Sequence, residues 1–306
     1  MSPPSCKRRA RAKSALLRSR WMNDGGMVCS ILNFLMSAAE TIVVGRSSLL
    51  AREFSASHAD IVLRAIGHAE AGDAALYDGA RSVVNFAFAP GLEHSGYDAA
   101  LDIDLRIAKL AARRGLHYIM LSSRRVYAYG AQWNAVESSP ATGMDTYGRN
   151  KARIEGGLRA TLGDRLTILR PGNVFGYEPI AARRRFGAYL QHQLLVEGRI
   201  RLTVEPAARR DLVPIEFFCR IVREAALRRV AGVFNVGAGR ATRAGDAARW
   251  LLEGYGGGEL QVEATRPPDE FQLDCAHLRA AFGLECGHGA VERSLREIGR
   301  RLARGL

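Results

Sequence analysis

The sequence predicts a doubly wound, parallel α/β sheet followed by a smaller C-terminal α/β lobe. Three observations predict it. The run TIVVG (41–45) ends in glycine and passes into the helix-forming RSSLLAREF; four further short apolar runs follow it; and the segments between those runs carry helical period. Strand, tight turn and helix in that order open a dinucleotide-binding unit, so the sheet is expected to be Rossmann-like.

The elements follow in order. IVLRAI (61–66), SVVNFAF (82–88), YIMLSS (118–123) and LTILRP (166–171) are short and apolar, fit for strands covered on both faces. Between them, YDAALDIDLRIAKLAARRG (97–115) is helical by period and stopped by Gly115, and YGRNKARIEGGLRATLG (147–163) is a second helix. After Gly176 the connections lengthen, with helices expected at 187–196, 215–229, 242–253 and 290–303 and strands near 200–204 and 233–236. The expected division is a basic, disordered leader (1–40), a dinucleotide-binding domain (41–175) and a substrate-binding lobe (176–306) partly interleaved with it.

Charge and cysteines narrow the function classes. The formal charge of +13 points toward an acidic partner, but Lys7, Arg8, Arg9, Arg11, Lys13, Arg18 and Arg20 all precede the first acid, Asp24. The remaining arginines are scattered without a nucleic-acid signature, so no nucleic-acid partner is expected. Cys6, Cys29, Cys219, Cys275 and Cys286 are far apart and form no C-x-x-C, which argues against a disulfide framework and against a metal site. No apolar run reaches the length of a membrane span. The basic start and the stretch MVCSILNFLMSAA resemble a targeting segment; the alternative is an extension, or a start placed too early, with Met22, Met27 and Met36 as other starts.

The turn after the first strand keeps one glycine. Gly45, Ser48 and Ala51 form G-x-x-S-x-x-A, in which small residues still permit close backbone approach to a pyrophosphate. After the second strand, Gly67 and His68 stand where an acid would hold an adenine ribose, and Glu70 lies slightly beyond. Arg46 suits a 2′-phosphate instead, so NAD and NADP both remain open.

The proton chemistry is expected at DTYGRNK (145–151). Tyr147 and Lys151, at i and i+4, share one helix face, and Ser123 ends a predicted parallel strand, the end at which open α/β sheets bind ligands. A phenol is a poor base at neutral pH, and a nearby ammonium favours its ionised form. Such a trio can exchange a proton with a sugar hydroxyl while hydride moves to or from a nicotinamide.

With these residues in place, the chain resembles the extended short-chain dehydrogenase/reductases, the NAD-dependent nucleotide-sugar epimerases and dehydratases. The resemblance runs from Thr41 to about Gly283 through VVNFAF, MLSSRRVY, YGRNK, RPGNVFG, RRDLVPIEFF, GVFNVGAGRATRAGDAARWL and TRPPDEFQLDCAHLRAAFG. It implies that Ser123, Tyr147 and Lys151 are catalytic, that Lys151 also reaches the nicotinamide ribose, and that Ala87 lines the cofactor. It implies further that Asn173, Arg210 and Arg266 grip the diphosphate of a nucleotide sugar, as forked guanidinium groups suit phosphate oxygens. Arg183–Arg185 have no matching motif and are read as a solvated loop.

The chain departs from the family pattern in its degraded glycine turn and in Arg124 and Arg125. Dehydrating members place acids directly after the catalytic Ser/Thr, so dehydration loses its acid here. The expectation is a cytoplasmic NAD(P)-dependent epimerase that oxidises a sugar hydroxyl and returns the hydride, with a homodimer left open. A 4-keto-sugar reductase is the alternative enzyme, and a non-catalytic NAD(P)-binding sensor or assembly protein is the alternative from another class. Absorbance near the reduced-nicotinamide band, with and without nucleotide sugars, separates the two classes.

Overall fold

The computed structural model describes residues 40–178, 186–267 and 269–305; the leader before Glu40 and the run Arg183–Arg185 lie outside the described residues. The first half runs β1 (Thr41–Val44), α1 (Leu49–Ser57), β2 (Val62–Ile66), β3 (Ser82–Asn85), α2 (Gly91–His94), α3 (Ile103–Arg114), β4 (His117–Leu121), β5 (Trp133–Ala135), α4 (Thr146–Leu162), β6 (Leu166–Pro171) and β7 (Asn173–Phe175). The second half runs α5 (Phe186–Glu197), β8 (Arg199–Leu202), β9 (Arg209–Arg210), β10 (Leu212–Pro214), α6 (Ile215–Arg228), β11 (Gly232–Val236), β12 (Thr242–Arg243), α7 (Ala244–Tyr255), β13 (Glu259–Val262), β14 (Gln272–Leu273), α8 (Ala276–Phe282) and α9 (Ala290–Ala303).

Six strands form one parallel sheet in the order β11-β6-β4-β3-β1-β2. The apolar runs need no polar alternation because both faces are covered. Successive residues go to opposite sides: Ile42, Val83, Tyr118, Met120 and Ile168 pack with α3 and α4, while Val43, Val84, Ile119 and Leu169 pack with α1, α6 and α8. Each aliphatic side chain so buried contributes about 1.5–3 kcal/mol. The expected strand near 233–236 is β11, which closes this main sheet against β6. A separate cluster, including Leu190, Leu194, Ile200, Leu251, Leu295 and Ile298, gathers α5, α7 and α9 over β8.

Helix ends follow local chemistry. Ser48 Oγ accepts from Ala51 N at 3.2 Å to start α1, and Asp102 accepts from Leu105 N at 2.8 Å to start α3. Asp145 accepts from Gly148 N at 2.9 Å to start α4. Gly115, at φ +67°, closes α3 as expected.

β2 departs from the expectation of a strand buried on both faces. Its first four residues are not buried, because it is the sheet edge and the link to β3 carries only a 3-10 turn at Ala74–Tyr77. The chain leaves β1 for β2 on one side and then crosses to β3 on the other. That reversal opens a crevice at the C-terminal ends of β1 and β3, where ligands bind in such sheets.

Candidate active site

Gly45 leaves β1 at this crevice with φ +92°, and a Cβ built there would stand 2.9 Å from Ala87 N. Both facts require glycine. The bare backbone between Gly45 and Ala87 is the cradle that a dinucleotide needs, so the residues present fit NAD or NADP. Ser48, in the second glycine position, caps α1, and Ala51 is buried in the core beneath it. Arg46 is already paired: its Nη1 lies 2.7 Å from Glu70 Oε2, which also accepts from Gly67 N at 2.6 Å. That backbone bond is the main reason the Glu70 carboxyl sits below its ordinary range, with Arg46 adding to it.

Across the crevice, α4 brings Tyr147 and Lys151 to the end of β4. Lys151 Nζ donates to Leu121 O at 2.7 Å. It stands 4.4 Å from the centroid of the Phe88 ring, and the same ring meets Tyr147 edge-on at 5.0 Å. Ser123 follows two residues after Leu121 and starts a 3-10 turn, its Oγ accepting from Arg125 N at 3.2 Å. Gly148 explains how α4 comes so close, since a Cβ there would lie 1.8 Å from Arg125 O. The structure thus brings Tyr147 and Lys151 together at Phe88, the residue after Ala87, and places Ser123 two residues after Leu121, the residue whose carbonyl Lys151 holds.

Arg124 and Arg125 are not two solvated loop charges. Arg124 is buried, donates to Gln132 and to Asp269 (2.5 Å), and lies 3.6 Å over the Phe271 ring. Arg125 forks onto Asp145 and lies 4.8 Å from the Tyr147 ring.

The three residues expected to grip a diphosphate stand in different settings. Arg210, on β9, lies 4.6 Å over the Phe186 ring. Its Nε is buried with no hydrogen-bond partner among the described residues, and burial lowers its pKa against the opposing charge of Asp269. Asn173 opens β7 half-buried and pairs its N–H with Asp211 O at 2.9 Å. Arg266 is exposed, and its backbone N–H donates to Thr203 O at 3.0 Å.

Sequence reasoning missed what lies behind the trio. Glu155, fully buried on α4, takes both forks of Arg170 (3.0 and 2.6 Å) and the hydroxyl of Ser122 (2.5 Å). Arg170 also donates to Tyr127 OH at 3.0 Å, and that hydroxyl donates to Asn235 Oδ1 at 2.6 Å. Asp104, buried on α3, was also missed. The available signal was an acid inside the apolar stripe Ile103, Ile107, Ala108, Ala111. Among the described residues no cluster of His, Cys, Asp and Glu suits a metal, and no helix is long and apolar enough to cross a membrane.

Solved structures share this architecture. An NAD-dependent NDP-hexosamine 5,6-dehydratase of tunicamycin biosynthesis, TunA, superposes at TM-score 0.73 with 18% identity, covering 88% of this chain and 98% of its own. A UDP-N-acetylglucosamine 4-epimerase from Methanobrevibacter ruminantium gives 0.73 with 16% identity over 89% and 100% of the two chains. A UDP-glucose 4-epimerase from Thermotoga maritima gives 0.72 with 17% identity over 87% and 99%. At such identities the likeness is one of fold. A search of curated proteins by sequence gives no match. The family description, in contrast, matches residues 29–237, more than half of the chain. On that match the chain belongs to the NAD dependent epimerase/dehydratase family of enzymes.

Proposed function

We propose that the chain is an NAD(P)-dependent nucleotide-sugar epimerase that works by transient oxidation of a sugar hydroxyl, with Ser123, Tyr147 and Lys151 handling the proton. The observation that carries this reading is the convergence of Tyr147 and Lys151 on Phe88 beside the Gly45–Ala87 cradle. Bound dinucleotide supplies the hydride acceptor and then the donor. Tyr147 takes the proton of the sugar hydroxyl as the carbon is oxidised and returns it at the end. Lys151 supplies the positive charge that favours the ionised phenol, which takes the proton, and Ser123 hydrogen-bonds the same sugar oxygen.

Arg210, with an unpaired buried donor, holds the substrate diphosphate in this reading, with Asn173 and Arg266 assisting. The choice of epimerisation over dehydration rests on Arg124 and Arg125. Both are locked into ion pairs directly after Ser123, and neither offers an acid to remove water. The enzyme would work in the cytoplasm, where its cofactor is.

Tyr147→Phe tests the reading. The variant should keep its fold and its dinucleotide affinity and lose about 10²- to 10⁴-fold in turnover; wild-type turnover would refute the assignment. Product mass from any accepted nucleotide sugar separates the chemistries. Unchanged mass supports the epimerase, a gain of two hydrogens the 4-keto-sugar reductase, and loss of water contradicts both.

A further inference from the structure

We infer that Asp104 is the positioning residue for the Lys151 ammonium and couples it to the turn that lines the cofactor. This rests on the reading of Lys151 as part of the trio. Lys151 and Asp104 are 3% and 2% exposed, so the ammonium is out of water. Its neighbours Leu121 O and the Phe88 ring carry no net charge. Asp104 Oδ2, at 3.7 Å, is the carboxylate within salt-bridge reach among the described residues. Asp102, one turn edge away, feels the Lys151 charge but is engaged as the cap of α3 and as acceptor of Tyr97 OH.

Asp104 is aimed by its other oxygen. Oδ1 accepts from Asn85 Nδ2 and from Tyr118 OH, both at 2.7 Å. Burial, with the charge of Asp104 behind it, pushes the Tyr118 phenol well above its ordinary value, so Tyr118 stays a donor. With Oδ1 doubly occupied, Oδ2 is left to Lys151. Asn85 in turn accepts from Ala87 N at 2.9 Å through its Oδ1, and Ala87 N is the atom that a side chain at residue 45 would strike. Lys151, Asp104, Asn85 and Ala87 form one chain of contacts from the proton group to the cofactor cradle.

The fold does not otherwise call for an acid here. Asp102 already caps α3, and the two buried donors that Oδ1 serves, Asn85 Nδ2 and Tyr118 OH, need an acceptor that a neutral amide would supply without the cost of a buried charge. The ammonium accounts for the acid.

Asp104→Asn removes the charge and lets the new Oδ1 keep both bonds. NAD titration should show about tenfold weaker binding for Asp104→Asn and for Lys151→Met, with the double variant no weaker than Lys151→Met alone, the non-additivity expected of contacting residues. Wild-type affinity in Asp104→Asn, or additive losses, would overturn the coupling. A second comparison needs neither cofactor nor turnover. Lys151→Met leaves a buried carboxylate unpaired, so Lys151→Met with Asp104→Asn should melt at a higher temperature than Lys151→Met. If it melts at the same or a lower temperature, Asp104 serves only Asn85 and Tyr118 and the inference fails; this also decides the matter should Asp104→Asn alone not fold. Failure of the trio reading looks different, since wild-type turnover in Tyr147→Phe leaves the melting comparison untouched.

Discussion

The two walls of the crevice are built in opposite ways. On the wall proposed to be catalytic, α4 is tied to its surroundings by buried polar contacts: Asn150 to Leu92 O and Ser95 O, Lys151 to Leu121 O, and Glu155 to Ser122 and Arg170. On the wall proposed for the cofactor, β2 is a half-exposed edge, its link to β3 has no full helix, and the ion pair at the turn, Arg46 with Glu70, is open to solvent. Proton transfer needs its groups held to fractions of an ångström, and buried networks that are fully satisfied give that rigidity. Recognition of an adenosine end needs shape and a few polar groups, which a loop can supply.

The comparison can be broken hardest at Arg170. Among the described residues, Arg170→Met leaves Glu155, fully buried, with the half-exposed Arg159 as its remaining cation. Removal of one partner from a buried pair costs about 3–5 kcal/mol. Urea denaturation of the variant should show a loss of that size, with turnover falling as the hold on α4 loosens. A loss below about 1 kcal/mol would mean that the catalytic wall is not held by this pair.

A smaller effect is expected at Gly45, where the cofactor wall does become strict. Gly45→Ala must adopt a positive φ, worth about 1–2 kcal/mol, and its Cβ would press on Ala87 N at 2.9 Å. The variant should fold with a modestly lower melting temperature and lose most of its NAD affinity in a fluorescence titration. Unchanged affinity would show that the cradle between Gly45 and Ala87 is not where the dinucleotide sits.

How much of this was legible in the sequence also differs between the walls. LTILRP became β6 and residues 290–303 became α9 without adjustment, because apolar runs and helical period are local signals. Tyr147 and Lys151 were legible for the same reason, as their relation is a spacing along one helix. Asp104, Glu155 and Arg170 were not. Their meaning depends on which residues from other elements face them, and a local reading makes Asp104 one more acid at a helix start. β14 and α8, at 272–282, were also unread as elements, since two residues and seven residues are too short to show a period.

The smallest expected effect concerns the choice between NAD and NADP. Arg46 is the one cation beside Gly45, yet Glu70 neutralises it at 2.7 Å while the N–H of Gly67 holds that carboxylate in place. A carboxylate at the end of β2 can accept from ribose hydroxyls and repels a 2′-phosphate; a freed guanidinium would attract one. Glu70→Ala should therefore leave fold and turnover chemistry alone, since the pair is exposed and surface ion pairs contribute little to stability, and move the ratio of NADP to NAD affinity upward several-fold. Arg46→Ala should move it the other way, or not at all, because the arginine is already engaged. Competition of the two dinucleotides for each variant reads the ratio directly. If Glu70→Ala leaves the ratio where it was, the adenosine end lies away from this pair and the cofactor wall selects by shape alone.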